Sequence, residues 1–182
     1  EDIYSTINAM EQFGAKVILE ENGKIAKVYG VGIGGLFQPK KDVDCGNSGT
    51  STRLLMGLMS SIDIEVTFKG DGSLSQRPME RVLEPLSQIG LEIKDGNGVN
   101  LPLKLKGSSY PLPINYELSI ASAQVKSALM FAALNIKGKS MIVEPVKTRD
   151  HTERLFEIFG ANIDYYNDSN DKKVIEIIGE KK

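Results

Sequence analysis

The sequence predicts an α+β fold built from repeated β-α-β-α-β-β units, and three observations carry that prediction. First, an apolar stripe at helical spacing that ends in glycine and passes into a strand-like alternation occurs three times. The three passages are Phe13-Gly14-Ala15-Lys16-Val17, Ile89-Gly90-Leu91-Glu92-Ile93 and Phe159-Gly160-Ala161-Asn162-Ile163. Glycine after such a stripe reads as a helix C-terminal cap, and spacings of 76 and 70 residues make this an internal repeat of about 73. Second, another kind of helix opens between these stripes, at Ser48-Gly49-Thr50-Ser51-Thr52-Arg53 and at Ser119-Ile120-Ala121-Ser122-Ala123-Gln124-Val125-Lys126, with Ser48 and Ser122 74 residues apart. Third, the clusters Glu21-Asn22-Gly23, Asp95-Gly96-Asn97-Gly98 and Asn167-Asp168-Ser169-Asn170-Asp171 separate alternating stretches and read as hairpin turns.

Taken in order, residues 1–35 form a partial unit, which lacks its opening strand, first helix and second strand, and residues 36–108 and 109–182 form two full ones within a single domain. The first helices of the full units, Thr52 to Ser60 and Ala123 to Leu134, are apolar nearly all the way round, which predicts burial. Each feeds an apolar strand, Ile62-Asp63-Ile64-Glu65-Val66-Thr67-Phe68 and Ser140-Met141-Ile142-Val143-Glu144. Helices packed inside a ring of sheets would gather their N-termini at one end, and that end would be a concave anion site.

At 182 residues the chain can bury roughly 70% of its unfolded surface. Apolar content of 41% and charged content of 25% suit a soluble globular protein, with no run of about 18 apolar residues to span a bilayer. The N-terminus lacks a secretory pattern and Cys45 is alone, so a reducing cytoplasm is the expected setting. A net charge of −2 gives no overall basic field and argues against a nucleic-acid partner. A start without Met, directly on a helix, suggests a piece of something longer.

The chemistry-bearing residues cluster at helix starts. Gly46 and Gly49 let the backbone approach a ligand closely, while Asn47, Ser48 and Thr50 offer polar groups beside the positive end of the following helix. Capping alone is the other reading of these hydroxyls, and of Ser122. Arg77 and Arg149 stand just before the second helices, where a cation opposes the helix dipole; a shared anion would relieve that conflict, and pairing with Glu80 or Asp150 is the alternative. Gln124 needs partners beside an apolar helix, and Lys126 one turn on is either a further cation or a surface residue. His151 reads as solvated or structural and Cys45 as space-filling. One His and one Cys cannot supply the usual metal-ligand set.

Four passages in order, Gly46-Asn47-Ser48-Gly49-Thr50-Ser51-Thr52-Arg53, Gly70-Asp71-Gly72-Ser73-Leu74-Ser75-Gln76-Arg77-Pro78-Met79, Ser122-Ala123-Gln124-Val125-Lys126-Ser127-Ala128 and Thr148-Arg149-Asp150-His151-Thr152-Glu153, resemble the 5-enolpyruvylshikimate-3-phosphate synthase family. The resemblance spans the whole chain but half of such an enzyme, and implies one domain of an inside-out α/β barrel pair. It implies transfer of the enolpyruvyl group of phosphoenolpyruvate to the 5-hydroxyl of shikimate 3-phosphate, releasing phosphate, by a monomer with no metal or organic cofactor. Under it Ser122, Ala123 (through its backbone), Gln124 and Arg149 hold shikimate 3-phosphate, and Asn47, Gly49, Thr50 and Arg77 face phosphoenolpyruvate, with Arg53 ordering the loop. Acid–base groups would lie in a second domain, so no catalytic residue is expected in this chain. The residue matching Gly49 borders the glyphosate pocket, which an alanine methyl would close. A sister transferase acting on UDP-N-acetylglucosamine fits the Ser122 and Thr148 passages less well, and a nucleic-acid-binding or end-processing module should show a basic stripe or stacking aromatics.

Overall fold

The computed structural model describes residues 2–179. Glu1 and residues 180–182 lie outside the described residues, so the acidic pair Glu1-Asp2 that the first unit sets where the others carry Arg77 and Arg149 is described only at Asp2. The first unit contributes helix α1 (Asp2–Gln12) and a hairpin of β1 (Lys16–Glu20) and β2 (Ile25–Tyr29). The second runs β3 (Val43–Asp44), α2 (Gly49–Ser60), β4 (Glu65–Lys69), α3 (Glu80–Ile89), β5 (Glu92–Asp95) and β6 (Leu103–Lys106). The third runs β7 (Asn115–Glu117), α4 (Ala123–Leu134), β8 (Gly138–Glu144), α5 (His151–Ile158), β9 (Ile163–Asn167) and β10 (Lys173–Gly179).

The two longer units form four-stranded sheets of identical topology, β3-β4-β6-β5 and β7-β8-β10-β9. In each, the first two strands pair in parallel across a helical crossover, and the closing hairpin pairs antiparallel. Gly90 caps α3 at φ 112°, its N–H bonded to the carbonyls of Leu86 and Ser87, and Gly14 and Gly160 share the left-handed backbone. Among the described residues the three sheets share no strand, so the ring of sheets is not closed by hydrogen bonds.

The core lies between helices and sheets. Val66, Phe68, Leu103 and Leu105 of one sheet and Ile142, Ile175 and Ile177 of the other join Met56, Met59, Leu129 and Met130 in one buried cluster. Helix α2 packs on α4, and α4 covers β8 and β10. The two helices touch so closely at Gly57 that a Cβ there would lie 2.1 Å from the Ala128 carbonyl oxygen. Gly107 and Gly179 play matching parts at the ends of β6 and β10, where a Cβ would meet the carbonyls of Met59 and Ala133 at 2.2 and 2.0 Å. Side chains are excluded where a strand end abuts the last turn of its buried helix.

Burial is not complete on every side of α2 and α4, as their composition led one to expect. Leu54, Leu58, Phe131 and Leu134 are only partly buried. With Met10 of α1, the first three line an apolar groove of about 470 Å³. The reason is that the first unit brings one helix and one hairpin to that face and, among the described residues, no second buried helix. Similarly Phe13 and Ile89, each preceding a capping glycine, are buried, whereas Phe159 at the third such position is 84% exposed.

Replacing Gly57 by alanine forces the helices apart and is expected to destabilise the chain by about 1–3 kcal/mol in chemical denaturation. Gly72→Ala, where nothing lies within 4 Å of the added methyl, should change stability by no more than about 0.5 kcal/mol. Equal effects at the two positions would contradict the close packing of α2 on α4.

Candidate functional site

Helices α2 and α4 run in the same direction, because Thr50 meets Gln124 near their starts and Gly57 meets Ala128 further along. Their N-termini therefore lie side by side. Both starts are capped by a serine whose side-chain oxygen accepts a backbone N–H, Ser48 from Ser51 at 3.2 Å and Ser122 from Val125 at 3.4 Å. Helix α2 thus begins at Gly49, three residues before the expected Thr52, because the Ser48 cap is already satisfied there. The remaining N–H groups of each first turn have no partner within their own helix and add to the positive dipole end.

A polar cross-link joins the two starts. Gln124 donates from Nε2 to Thr50 Oγ1 at 2.8 Å and accepts at Oε1 from Arg53 Nη1 at 3.1 Å. Arg53 also donates to the Gly49 carbonyl at 3.1 Å and, through Nη2, to the Pro78 carbonyl at 3.0 Å. The partners that an amide beside an apolar helix requires are thereby supplied, and Arg53 ties the loop ahead of α3 to both helix starts. Burial, with Arg77 and Arg81 nearby, pulls the Arg53 guanidinium below its ordinary titration range. A cluster of cations in that state favours the arrival of an anion.

Thr50, Ala123, Gln124, Ser127, Arg149 and His151 line one cleft of about 210 Å³ over the two helix starts. Arg149 is exposed there, and Asp150, its proposed alternative partner, is instead bound by Arg154 at 2.8 Å. Arg77 does not pair with Glu80; its Nη2 donates to Asn47 Oδ1 at 2.7 Å and Ser73 Oγ at 3.3 Å. Asn47 in turn donates to Asp71 Oδ2 at 2.6 Å, and Asp71 accepts the Leu74 N–H at 2.7 Å. Those bonds, from Leu74 first and Asn47 second, hold the Asp71 carboxyl below the usual range. Asp71 fixes which way the Asn47 amide points. Sequence reasoning gave it no role, although it stands in the quoted Gly70-Asp71-Gly72 passage.

Four of the expected residues, Thr50, Ala123, Gln124 and Arg149, come together in the cleft, and Asn47, Gly49 and Arg77 form the adjoining edge at the start of α2. Ser122 is set apart: it caps α4 and its exposed side faces Arg81 and Tyr116 in a small recess. Lys126 is corrected most. It is neither a surface residue nor a cation offered to a ligand but is fully buried, with Nζ donating to Glu153 Oε1 at 2.7 Å, Glu144 Oε2 at 3.1 Å and the Arg149 carbonyl at 2.8 Å. The two carboxylates that draw it inward come from β8 and α5, distant in sequence. Cys45 is buried, and burial pushes its thiol up, as a space-filling residue requires. Among the described residues no group of three His, Cys, Asp or Glu could hold a metal ion, and no helix is long and apolar enough to cross a membrane.

Fold and site together define a β-α-β-α-β-β repeat domain with a cleft over paired helix N-termini, bordered by Arg149 and, at the start of α2, by Arg53 and Arg77. The chain belongs to the EPSP synthase (3-phosphoshikimate 1-carboxyvinyltransferase) family, whose model matches residues 1–182. It is 49% identical over 180 residues to the 3-phosphoshikimate 1-carboxyvinyltransferase of Novosphingobium aromaticivorans, covering 99% of this chain and 41% of that protein. A Streptococcus agalactiae protein of the same name is 50% identical over 165 residues, covering 90% and 38%. The solved EPSP synthase of Acinetobacter baumannii superposes with a TM-score of 0.86 at 38% identity, covering 98% of this chain and 39% of that one. The chain spans about two fifths of the length of these relatives.

The buried ion network has a pH signature. Burial alone would push the Glu153 carboxyl up, but hydrogen bonds from Lys126 and Lys173 outweigh it and hold the group below the ordinary glutamate range. A carboxylate held low in the fold contributes stability that is fully present above the ordinary glutamate range, about 4.5, and is lost as pH falls below that range through the lower value of the folded state. Thermal unfolding between pH 7 and pH 3 is expected to show a shallower acid loss for Glu153→Gln than for the unsubstituted chain. Identical slopes would contradict the assignment.

Proposed function

We propose that this chain forms the shikimate 3-phosphate-binding face, and part of the phosphoenolpyruvate-binding face, of an enzyme that transfers the enolpyruvyl group to the 5-hydroxyl of shikimate 3-phosphate and releases phosphate. The observation that supports this most directly is the junction of two helix starts through Thr50, Gln124 and Arg53, flanked by Arg77 on one side and Arg149 on the other. Two anions that must react need their mutual repulsion offset at adjacent sites. Paired dipole ends with one guanidinium each supply that.

In this reading Arg149, Gln124, Ser122 and the Ala123 backbone hold shikimate 3-phosphate, while Arg77, Asn47, Gly49 and Thr50 face phosphoenolpyruvate. Arg53 sits between them and belongs to both. The cleft is lined by no carboxylate and no lysine among the described residues, and its imidazole, His151, is exposed at the start of α5 and read as solvated, so we assign the proton transfers to groups outside this chain. We place the enzyme in the cytoplasm, as a monomer, where Cys45, buried and free in this chain, stays reduced.

Calorimetric titration of the chain with shikimate 3-phosphate should show saturable binding without turnover when phosphoenolpyruvate is added. Arg149→Ala should weaken that binding by about tenfold or more, the loss of a charge-assisted contact. Absence of binding at millimolar ligand, or turnover by the chain alone, would contradict the reading. Gly49 gives a second test. A Cβ there would lie 2.7 Å from Arg53 Nη1 and 3.4 Å from Arg77 Nη1, the far ends of flexible side chains. Gly49→Ala in the full-length enzyme should therefore fold, displace the Arg53 guanidinium, crowd that of Arg77 and reduce inhibition by glyphosate; unchanged inhibition would contradict the placement of Gly49.

A further inference from the structure

The segment that carries Arg149 is anchored from inside the protein. Residues 145–150 link β8 to α5, and among the described residues the Arg149 side chain makes no hydrogen bond or ion pair, its carbonyl alone being bonded. Its backbone is held instead. Lys126 donates to the Arg149 carbonyl at 2.8 Å, and Glu144 accepts from both the N–H and the hydroxyl of Thr148, at 3.2 and 2.5 Å. Lys126 bridges Glu144 and Glu153, and Lys173 joins Glu153 at 2.7 Å. Two cations and two carboxylates balance, and none but Lys173 has any appreciable exposure. Ser127 adds a 2.6 Å hydroxyl contact to Thr152, so that α4 grips both sides of the loop.

A buried network of this kind contributes little net stability, because desolvation of the charges offsets most of their attraction. What it supplies is geometry. The second unit reaches the same end with other residues: Arg53 of α2 donates to the Pro78 carbonyl, in the loop that carries Arg77. Residues 53 and 126 are 73 apart and 78 and 149 are 71 apart, which is the repeat spacing. In both units a basic side chain from the central helix takes hold of a backbone carbonyl beside the arginine of the following loop.

We infer that Lys126 is a positioning residue for anion binding: by holding the Arg149 carbonyl against Glu144 and Glu153 it fixes the backbone from which the Arg149 guanidinium enters the cleft. The inference rests on the proposed function for the identity of the ligand, and on the geometry alone for the placement of Arg149. Lys126 touches no ligand in this account and acts only through Arg149.

Two measurements on Lys126→Met test it, with the charge-balanced Lys126→Met/Glu153→Gln chain, which leaves the Glu144 bonds to Thr148 in place, used in both if the single variant fails to fold. In amide hydrogen exchange of the unliganded chain, residues 147–150 should exchange about tenfold faster while α4 and β10 remain as in the unsubstituted chain. Unchanged exchange at 147–150, or a rise throughout, overturns the inference. In calorimetric titration with shikimate 3-phosphate, the variant should bind about tenfold more weakly, and the same substitution in an Arg149→Ala background should add no further loss. An equal loss in both backgrounds overturns it, since Lys126 would then act independently of Arg149. If the unsubstituted chain does not bind shikimate 3-phosphate, the functional reading fails, and the exchange result still decides whether Lys126 places Arg149.

Discussion

The structure depends on how closely α2 approaches α4. A carbonyl of one helix lies where the other would carry a side chain, and only glycine at position 57 permits it. From that single contact the rest follows. Two parallel helices in van der Waals contact bring their N-termini together, and two dipole ends of like sign then face the same space. Such an arrangement is unfavourable until something compensates it. The polar bridge of Gln124 between Thr50 and Arg53 orders the junction, but it introduces another positive charge and so increases the demand for an anion.

Around this junction the two full units solve one problem with different chemistry. Each must present an arginine from a loop that has no regular structure of its own. The second unit does so near the surface, where Asp71 orients Asn47 and Asn47 steadies Arg77. The third does so from within, through the buried ions of Lys126, Glu144 and Glu153. In the second unit the side chain of Arg77 is itself hydrogen-bonded, whereas in the third only the carbonyl of Arg149 is.

Much of this was legible in the sequence, and the part that was not has a physical reason. The repeat was readable because each unit closes its second helix with glycine and the two full units open their first helix with a serine cap, and both signals are local. The order of elements along the chain and the hairpins followed from those landmarks, whereas the order of strands within each sheet came only with the structure. The candidate site residues were readable because helix starts concentrate polar groups in short segments. Lys126 was misread because its partners lie 18 and 27 residues away, on β8 and α5, and burial of a lysine is decided by such distant carboxylates. The role of Asp71 was invisible for the same reason, as were Gly57, Gly107 and Gly179, whose importance lies in what they touch rather than in their own backbone angles. Composition overstated the burial of α2 and α4, since an apolar helix surface reports what can be covered and not what covers it.

The central claim is that the joined starts of α2 and α4 are one anion-binding face with Arg149 as its outer wall. The most direct test is a crystal structure of the chain with shikimate 3-phosphate, read for the position of the phosphate. The account requires it within hydrogen-bond reach of Gln124, the Ala123 N–H or the Arg149 guanidinium. A phosphate bound against Arg77 with the Arg149 side of the cleft empty, or bound away from both helix starts, would contradict it.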